Sequence, residues 1–194
     1  MIRVIDYTLK TAASAEPISV TEAKLHLRVD LSTDDTLITA LIVAAREFVE
    51  KYTGRILMSS TYYGYADKAD SGGWELTACP VSALSSIKYY DASHTLQTWS
   101  ASNYLLNETR TPTRVTLTTA GSLPTTYNEG GQDWVFEFVC GYANAAAVPA
   151  PIKAALLLMV GHLYEHREAV IIGTISSELP MSVEYLLNPY IVWR

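Results

Sequence analysis

The clearest periodic signal in the chain lies between residues 38 and 52. Ile38, Leu41, Ile42, Ala45, Phe48, Val49 and Tyr52 recur at the i, i+3, i+4, i+7 spacing of an amphipathic helix. Arg46, Glu47, Glu50 and Lys51 fill the other face, with Arg46–Glu50 and Glu47–Lys51 spaced as i,i+4 pairs. Gly54 is placed to end the helix, and Ser32 or Thr33, with Asp34 and Asp35 behind them, to start it. Just upstream, Ser19-Val20-Thr21-Glu22 has the form of a capping box. It predicts a short helix over about residues 20–29, with Ala23 and Leu27 on one face. Residues 1–16 lack a helical period and read as an extended arm or edge strand.

From Ile56 to Tyr142 the pattern changes. Short runs rich in Tyr, Trp, Phe, Val and Ile alternate with turn signals such as Asp70-Ser71-Gly72-Gly73, Asp91-Ala92-Ser93-His94 and Asn128-Glu129-Gly130-Gly131. This predicts a meander of about five to seven antiparallel strands, with Asp91–His94 at a hairpin tip. Helical character returns after Pro149-Ala150-Pro151, where proline in a first turn suits a helix start. Ile152, Leu156, Met159 and Leu163 form one stripe, and Ala155, Leu157, Leu158 and Val160 make the other sides apolar too. Such a helix must be covered nearly all round, and neighbouring subunits are one available cover. Leu156, Met159 and Leu163 are therefore the candidate subunit-interface residues. A polar stretch over 173–178 leads to a last short helix near 182–187, and Asn188-Pro189 ends it.

The fold class expected is thus α+β: a helical bundle of about four helices with an inserted antiparallel β-sheet subdomain. The divisions are an arm (1–16), a first helical segment (17–57), a β-rich insertion (58–142), a second helical segment (143–187) and a tail (188–194).

Composition narrows the function. Hydrophobic residues make up 49% of the 194 and charged residues only 18%, a balance that favours extra burial in an oligomer. The net charge is −6 and no basic run occurs, which argues against sequence-specific DNA reading. The aromatic middle lacks interleaved Lys and Arg, so its rings are better read as core than as a base-stacking platform. Cys79 and Cys140 have no metal-binding spacing and are expected to be buried free thiols. Asp6 and Lys10 interrupt any signal-peptide core, and Ala154–Val160 is far short of the ~20 apolar residues that span a bilayer. A soluble protein with no cofactor is expected.

One catalytic pattern stands out. His162-Leu163-Tyr164-Glu165-His166 fits HxxEH, in which two histidines one helical turn apart share a zinc and the glutamate acts as base. A third ligand would have to come from Glu178 or Glu184. The competing reading is a pair of half-buried helix histidines, and the zinc hydrolase stands as the alternative function. The tail Tyr190-Ile191-Val192-Trp193-Arg194 poses its own question. It either packs on its own domain or is lent as a strand to a partner, with Trp193 as anchor.

Three strings together carry a resemblance. Glu16-Pro17-Ile18-Ser19-Val20-Thr21-Glu22-Ala23-Lys24-Leu25-His26-Leu27-Arg28-Val29, the run Ala44-Ala45-Arg46-Glu47-Phe48-Val49-Glu50-Lys51-Tyr52-Thr53-Gly54-Arg55, and the later Val148-Pro149-Ala150-Pro151-Ile152-Lys153 resemble tailed-phage head–tail connector (adaptor) proteins of the gp6-like type. Gly161-His162-Leu163-Tyr164-Glu165, Arg167-Glu168-Ala169-Val170 and Pro180-Met181-Ser182-Val183-Glu184-Tyr185-Leu186-Leu187 are similar to that family as well. The resemblance implies a structural subunit of the virion neck, assembled in the host cytoplasm, and no enzyme. It implies a ring, commonly a dodecamer, under the portal protein. The ring joins the portal to a downstream neck or tail-completion protein and lets genomic DNA pass without sequence-specific binding. It also implies that Tyr190, Ile191, Val192, Trp193 and Arg194 dock on the portal.

Overall fold

A computed structural model describes residues 3–69, 72–127, 131–166 and 181–192. Their chain divides into two compact units. One holds the N-terminal strand and residues 59–142, and the other holds residues 14–58 and 143–193.

The helical unit contains α1 (Val20–Leu27), α2 (Asp35–Thr53), α3 (Ala150–Glu165) and α4 (Met181–Leu187). Ser19 and Glu22 form the expected capping box, the Ser19 Oγ accepting from the Glu22 N–H at 3.1 Å and Glu22 accepting from the Ser19 N–H at 2.7 Å. Helix α1 stops at Leu27, two residues early. Arg28 turns left-handed there (φ 58°) and its N–H closes back on Leu25. Neither Ser32 nor Thr33 caps α2. Residues Ser32–Asp34 instead wind one 3-10 turn that runs into the helix. Gly54 (φ 70°) ends α2 as expected.

Helix α3 packs against α1, α2 and α4, and this explains its composition. Ile152, Ala155, Leu156 and Val160 are buried, while Leu157 and Met159 are half-buried and Leu158 is exposed. The cover expected from neighbouring subunits is supplied mostly by the chain's own helices.

The other unit is β-rich. Its strands are β1 (Arg3–Thr11), β2 (Ser60–Ala66), β3 (Trp74–Leu76), β4 (Val81–Tyr90), β5 (Leu96–Trp99), β6 (Tyr104–Asn107), β7 (Thr113–Leu117) and β8 (Trp134–Cys140). They hydrogen-bond in the order β5-β4-β8-β2-β1-β3-β7-β6. The fold class is α+β, as expected, but the strand order corrects the meander. Strand β8 inserts between β4 and β2, and β1–β3 is a parallel pair in an otherwise antiparallel set. The N-terminal arm is not an edge. Residues Arg3–Thr11 lie inside the sheet, with β2 on one side and β3 on the other. Local pattern could not reveal this, because the paired positions on both sides are fifty or more residues apart in sequence.

Strand β8 alternates strictly. Trp134, Phe136, Phe138 and Cys140 face inward, and Val135, Glu137 and Val139 outward. Trp134 meets Trp74 at 4.9 Å and Trp99 at 5.1 Å between ring centroids, and Phe136 meets Trp74 at 5.1 Å. Three tryptophans so packed dominate the core of this unit. Gly73 (φ 77°) lies against the Val115 carbonyl, where a Cβ would stand 1.9 Å from that oxygen.

Candidate partner-docking surfaces

The proposed functional residues fall on three places. The first is the C-terminal segment. Tyr190 closes a 3-10 turn over Asn188–Tyr190, and Ile191 is extended (φ −62°, ψ 129°). The Val192 N–H donates to the last α2 carbonyl, that of Thr53, at 2.8 Å, and Val192 is buried. The Arg55 Nε donates to the Tyr190 carbonyl at 2.6 Å, with the guanidinium 6.0 Å from the Tyr190 ring centre. The Tyr52 hydroxyl donates to Asn188 at 2.9 Å. Residues 188–192 therefore satisfy the open C-terminal end of α2. Of the two readings of the tail, packing on its own domain holds through Val192. Trp193 and Arg194 lie outside the described residues.

The second place is α3. Leu156 is fully buried inside the helical unit, so it offers no surface to a neighbouring subunit. Met159 and Leu163 are half-buried. The rings of His162 and His166 stand 4.8 Å apart, edge to face, and Glu165 is exposed. Among the described residues no three His, Cys, Asp or Glu side chains are grouped to hold a metal. Glu184 makes no such group with the histidine pair, and Glu178 lies outside the described residues. Nearby, the Tyr164 hydroxyl donates to the Asp34 carboxylate and so ties α3 to the turn before α2.

The third place was hidden from sequence reading: the outward flanks of α1 and α4. Leu25, Met181 and Tyr185 are 82%, 82% and 84% exposed, and no other large apolar residue described is exposed to that degree. Beside Leu25 runs a groove of about 510 Å³ lined by Thr21, Lys24, Leu25, Arg28, Val29 and Asp30. The signal was present in the sequence as Met181 and Tyr185 at i,i+4. Pattern alone does not single it out, because nothing local says which face of a seven-residue helix is covered.

Electrostatics in the helical unit are structural. The Arg46 Nε meets Glu16 at 2.7 Å and its Nη1 meets Glu50 at 2.8 Å, while Glu50 also accepts the Leu57 N–H at 2.8 Å. Burial pushes the Glu50 carboxyl above its usual range against the pull of the Leu57 N–H and Arg46. Glu22 is held down at about 2 by the Lys153 ammonium and by its bonds to Ser19. Lys153 thus links α3 to the capping box of α1.

Residues 17–98 match the family model described as "Phage gp6-like head-tail connector protein". The match takes in α1, α2 and the strands from β2 through most of β5. No curated protein matches the chain. Among solved structures, the chain is similar to one in the "Neck of empty GTA particle computed with C6 symmetry" (TM-score 0.77, 22% identity, 97% of this chain and 96% of that one). It is similar to a chain of the "Virion of native gene transfer agent (GTA) particle" (TM-score 0.78, 21% identity, 97% and 96%). A third likeness is to a chain in the "Neck of native GTA particle computed with C12 symmetry" (TM-score 0.73, 20% identity, 97% and 96%). At such identities these likenesses speak to the fold, which is shared end to end. The resemblance is borne out over the first helical segment and into the β-rich stretch: residues 17–98 match the phage gp6-like head–tail connector model, within a fold like that of chains in gene transfer agent particles.

Proposed function

We propose that this protein is a structural head–tail connector subunit that works as a ring in the neck of a tailed particle. The observation that carries the reading is the fold likeness to neck chains over 97% of this chain and 96% of theirs, joined to the connector match over residues 17–98. The ring would sit under the portal protein and join it to a downstream neck or tail-completion protein. A dodecamer suits a neighbour solved with twelve-fold symmetry. Genomic DNA would pass through, and a chain of net charge −6 without a basic run suits passage without retention. The role is that of a scaffold, with no catalytic step.

Native mass measurement, with the purified chain alone and with portal protein, tests the ring. A ring-sized species in either condition is the expected result, and a monomer in both overturns the reading. The C-terminal residues Tyr190–Arg194 are the proposed portal contact, narrowed to Trp193 and Arg194 because 190–192 already serve α2. The double substitution W193A/R194A spares those α2 contacts. It is expected to weaken portal binding roughly tenfold or more, as loss of an aromatic anchor does. Undiminished binding would remove the tail from the contact.

A further inference from the structure

Helices α1 and α4 both pack on the α2–α3 pair rather than on each other, so the helical unit has two separate flanks. Each flank carries an apolar surface at odds with solvent. On α1, Leu25 is 82% exposed, Leu31 just beyond it is 71% exposed, and Arg28 lies one turn from Leu25. Arg28 forms no ion pair among the described residues. On α4, Met181, Glu184 and Tyr185 stand at i, i+3 and i+4, which places them on one stripe, and all three are exposed. Glu184 also forms no ion pair among the described residues, and no basic residue occurs between 181 and 192.

The two surfaces complement each other. One offers a groove with the Arg28 cation at its rim, and the other a ridge of Met and Tyr with a carboxylate between them. Neither resembles itself, so a two-fold contact of like with like would set Arg28 against Arg28 or Glu184 against Glu184. A contact between unlike flanks of successive copies is heterologous, and heterologous contacts generate rings when the rotation closes.

We propose that the α4 ridge of one copy (Met181, Glu184, Tyr185) seats in the α1 groove of the next copy (Leu25, Arg28), as the repeating contact of the ring. This rests on the connector reading and names the surface through which it is achieved. The occupant is a second copy of this chain, because the chain itself supplies both halves.

The test uses full-length variants in whichever condition the wild-type chain assembles. L25D removes the groove and Y185D the ridge, and both sites are exposed, so each variant is expected to fold. Each alone should weaken assembly roughly tenfold or more. Mixed together, the two should form heterodimers that go no further, because only one intact groove and one intact ridge remain. Heterodimer formation also proves that both variants are folded. R28E and E184R should each weaken assembly, and R28E/E184R should restore it. Rings of wild-type strength from L25D or Y185D overturn this interface and leave the connector reading standing. A mixture that shows no heterodimer, or a charge swap without rescue, also overturns it. A wild-type chain monomeric alone and with portal overturns the connector reading itself.

Discussion

Arg46 sits where a helical wheel puts a solvated side chain, yet its guanidinium is clamped between Glu16 and Glu50. The i,i+4 pair to Glu50 was legible. The third partner was not, because Glu16 comes from a segment thirty residues upstream. The same clamp holds Glu50 against the Leu57 N–H and so shapes the exit from α2. R46A leaves a largely buried carboxylate without its cation and is expected to cost about 2 kcal/mol at neutral pH in a denaturant titration, below the range for fully buried pairs. The sign with pH follows from the raised Glu50 carboxyl. A group whose folded pKa is raised favours folding below its ordinary value and loses that contribution as pH rises through the folded value. Without Arg46 the rise is larger, so the R46A penalty should shrink when the titration is repeated at about pH 4. Glu22 behaves in the opposite sense. Its carboxyl is held at about 2, so its contribution is present above the ordinary value of 4.5 and is lost as pH falls from there toward 2. Amide exchange over residues 20–27, corrected for intrinsic rates, should accelerate across that window, and in E22Q it should be faster already at neutral pH.

Among the elements, those defined by neighbours in sequence were readable and those defined by distant partners were not. Helix α2, the Ser19 capping box and the Asp91–His94 turn all follow from local chemistry. In that turn the Asp91 carboxylate accepts from the Ser93 and Thr95 amides at 2.9 and 3.0 Å. Helix α3 shows the limit. Its apolar run implied cover on nearly every side; the chain's own helices bury Ile152, Ala155, Leu156 and Val160 and leave Leu158 exposed, and the sequence could not say whose atoms provide the cover. The C-terminal segment shows the same limit, since its strand-like composition did not disclose that the Thr53 carbonyl needs the Val192 N–H. R55A tests that element directly. Removing the Arg55 bond to the Tyr190 carbonyl should raise amide exchange at Ile191 and Val192, while exchange in the middle of α2 stays unchanged. Equal protection in R55A would mean that the Thr53–Val192 bond holds the segment alone.

At the scale of the whole molecule, the two units draw on the chain differently. The helical unit is assembled from both sides of the insertion. The sheet unit recruits a strand from outside its own stretch, and β1 joins β2 to β3 by hydrogen bonds on both of its edges. In the strand order this makes β1 the link between the β5-β4-β8-β2 group and the β3-β7-β6 group. The Trp74–Trp134 contact spans the same two groups. Deleting residues 1–12 separates an arm from a central strand by its consequence. Loss of an exposed arm would leave the melting temperature and the near-ultraviolet circular dichroism of the tryptophans unchanged. Loss of a central strand leaves the facing edges of β2 and β3 unpaired and the tryptophan cluster without its backbone frame. The expected outcome is a collapse of the near-ultraviolet signal together with a helical far-ultraviolet signal, since α1 to α4 keep a core of their own around Ile38, Ile42, Leu156 and Val183.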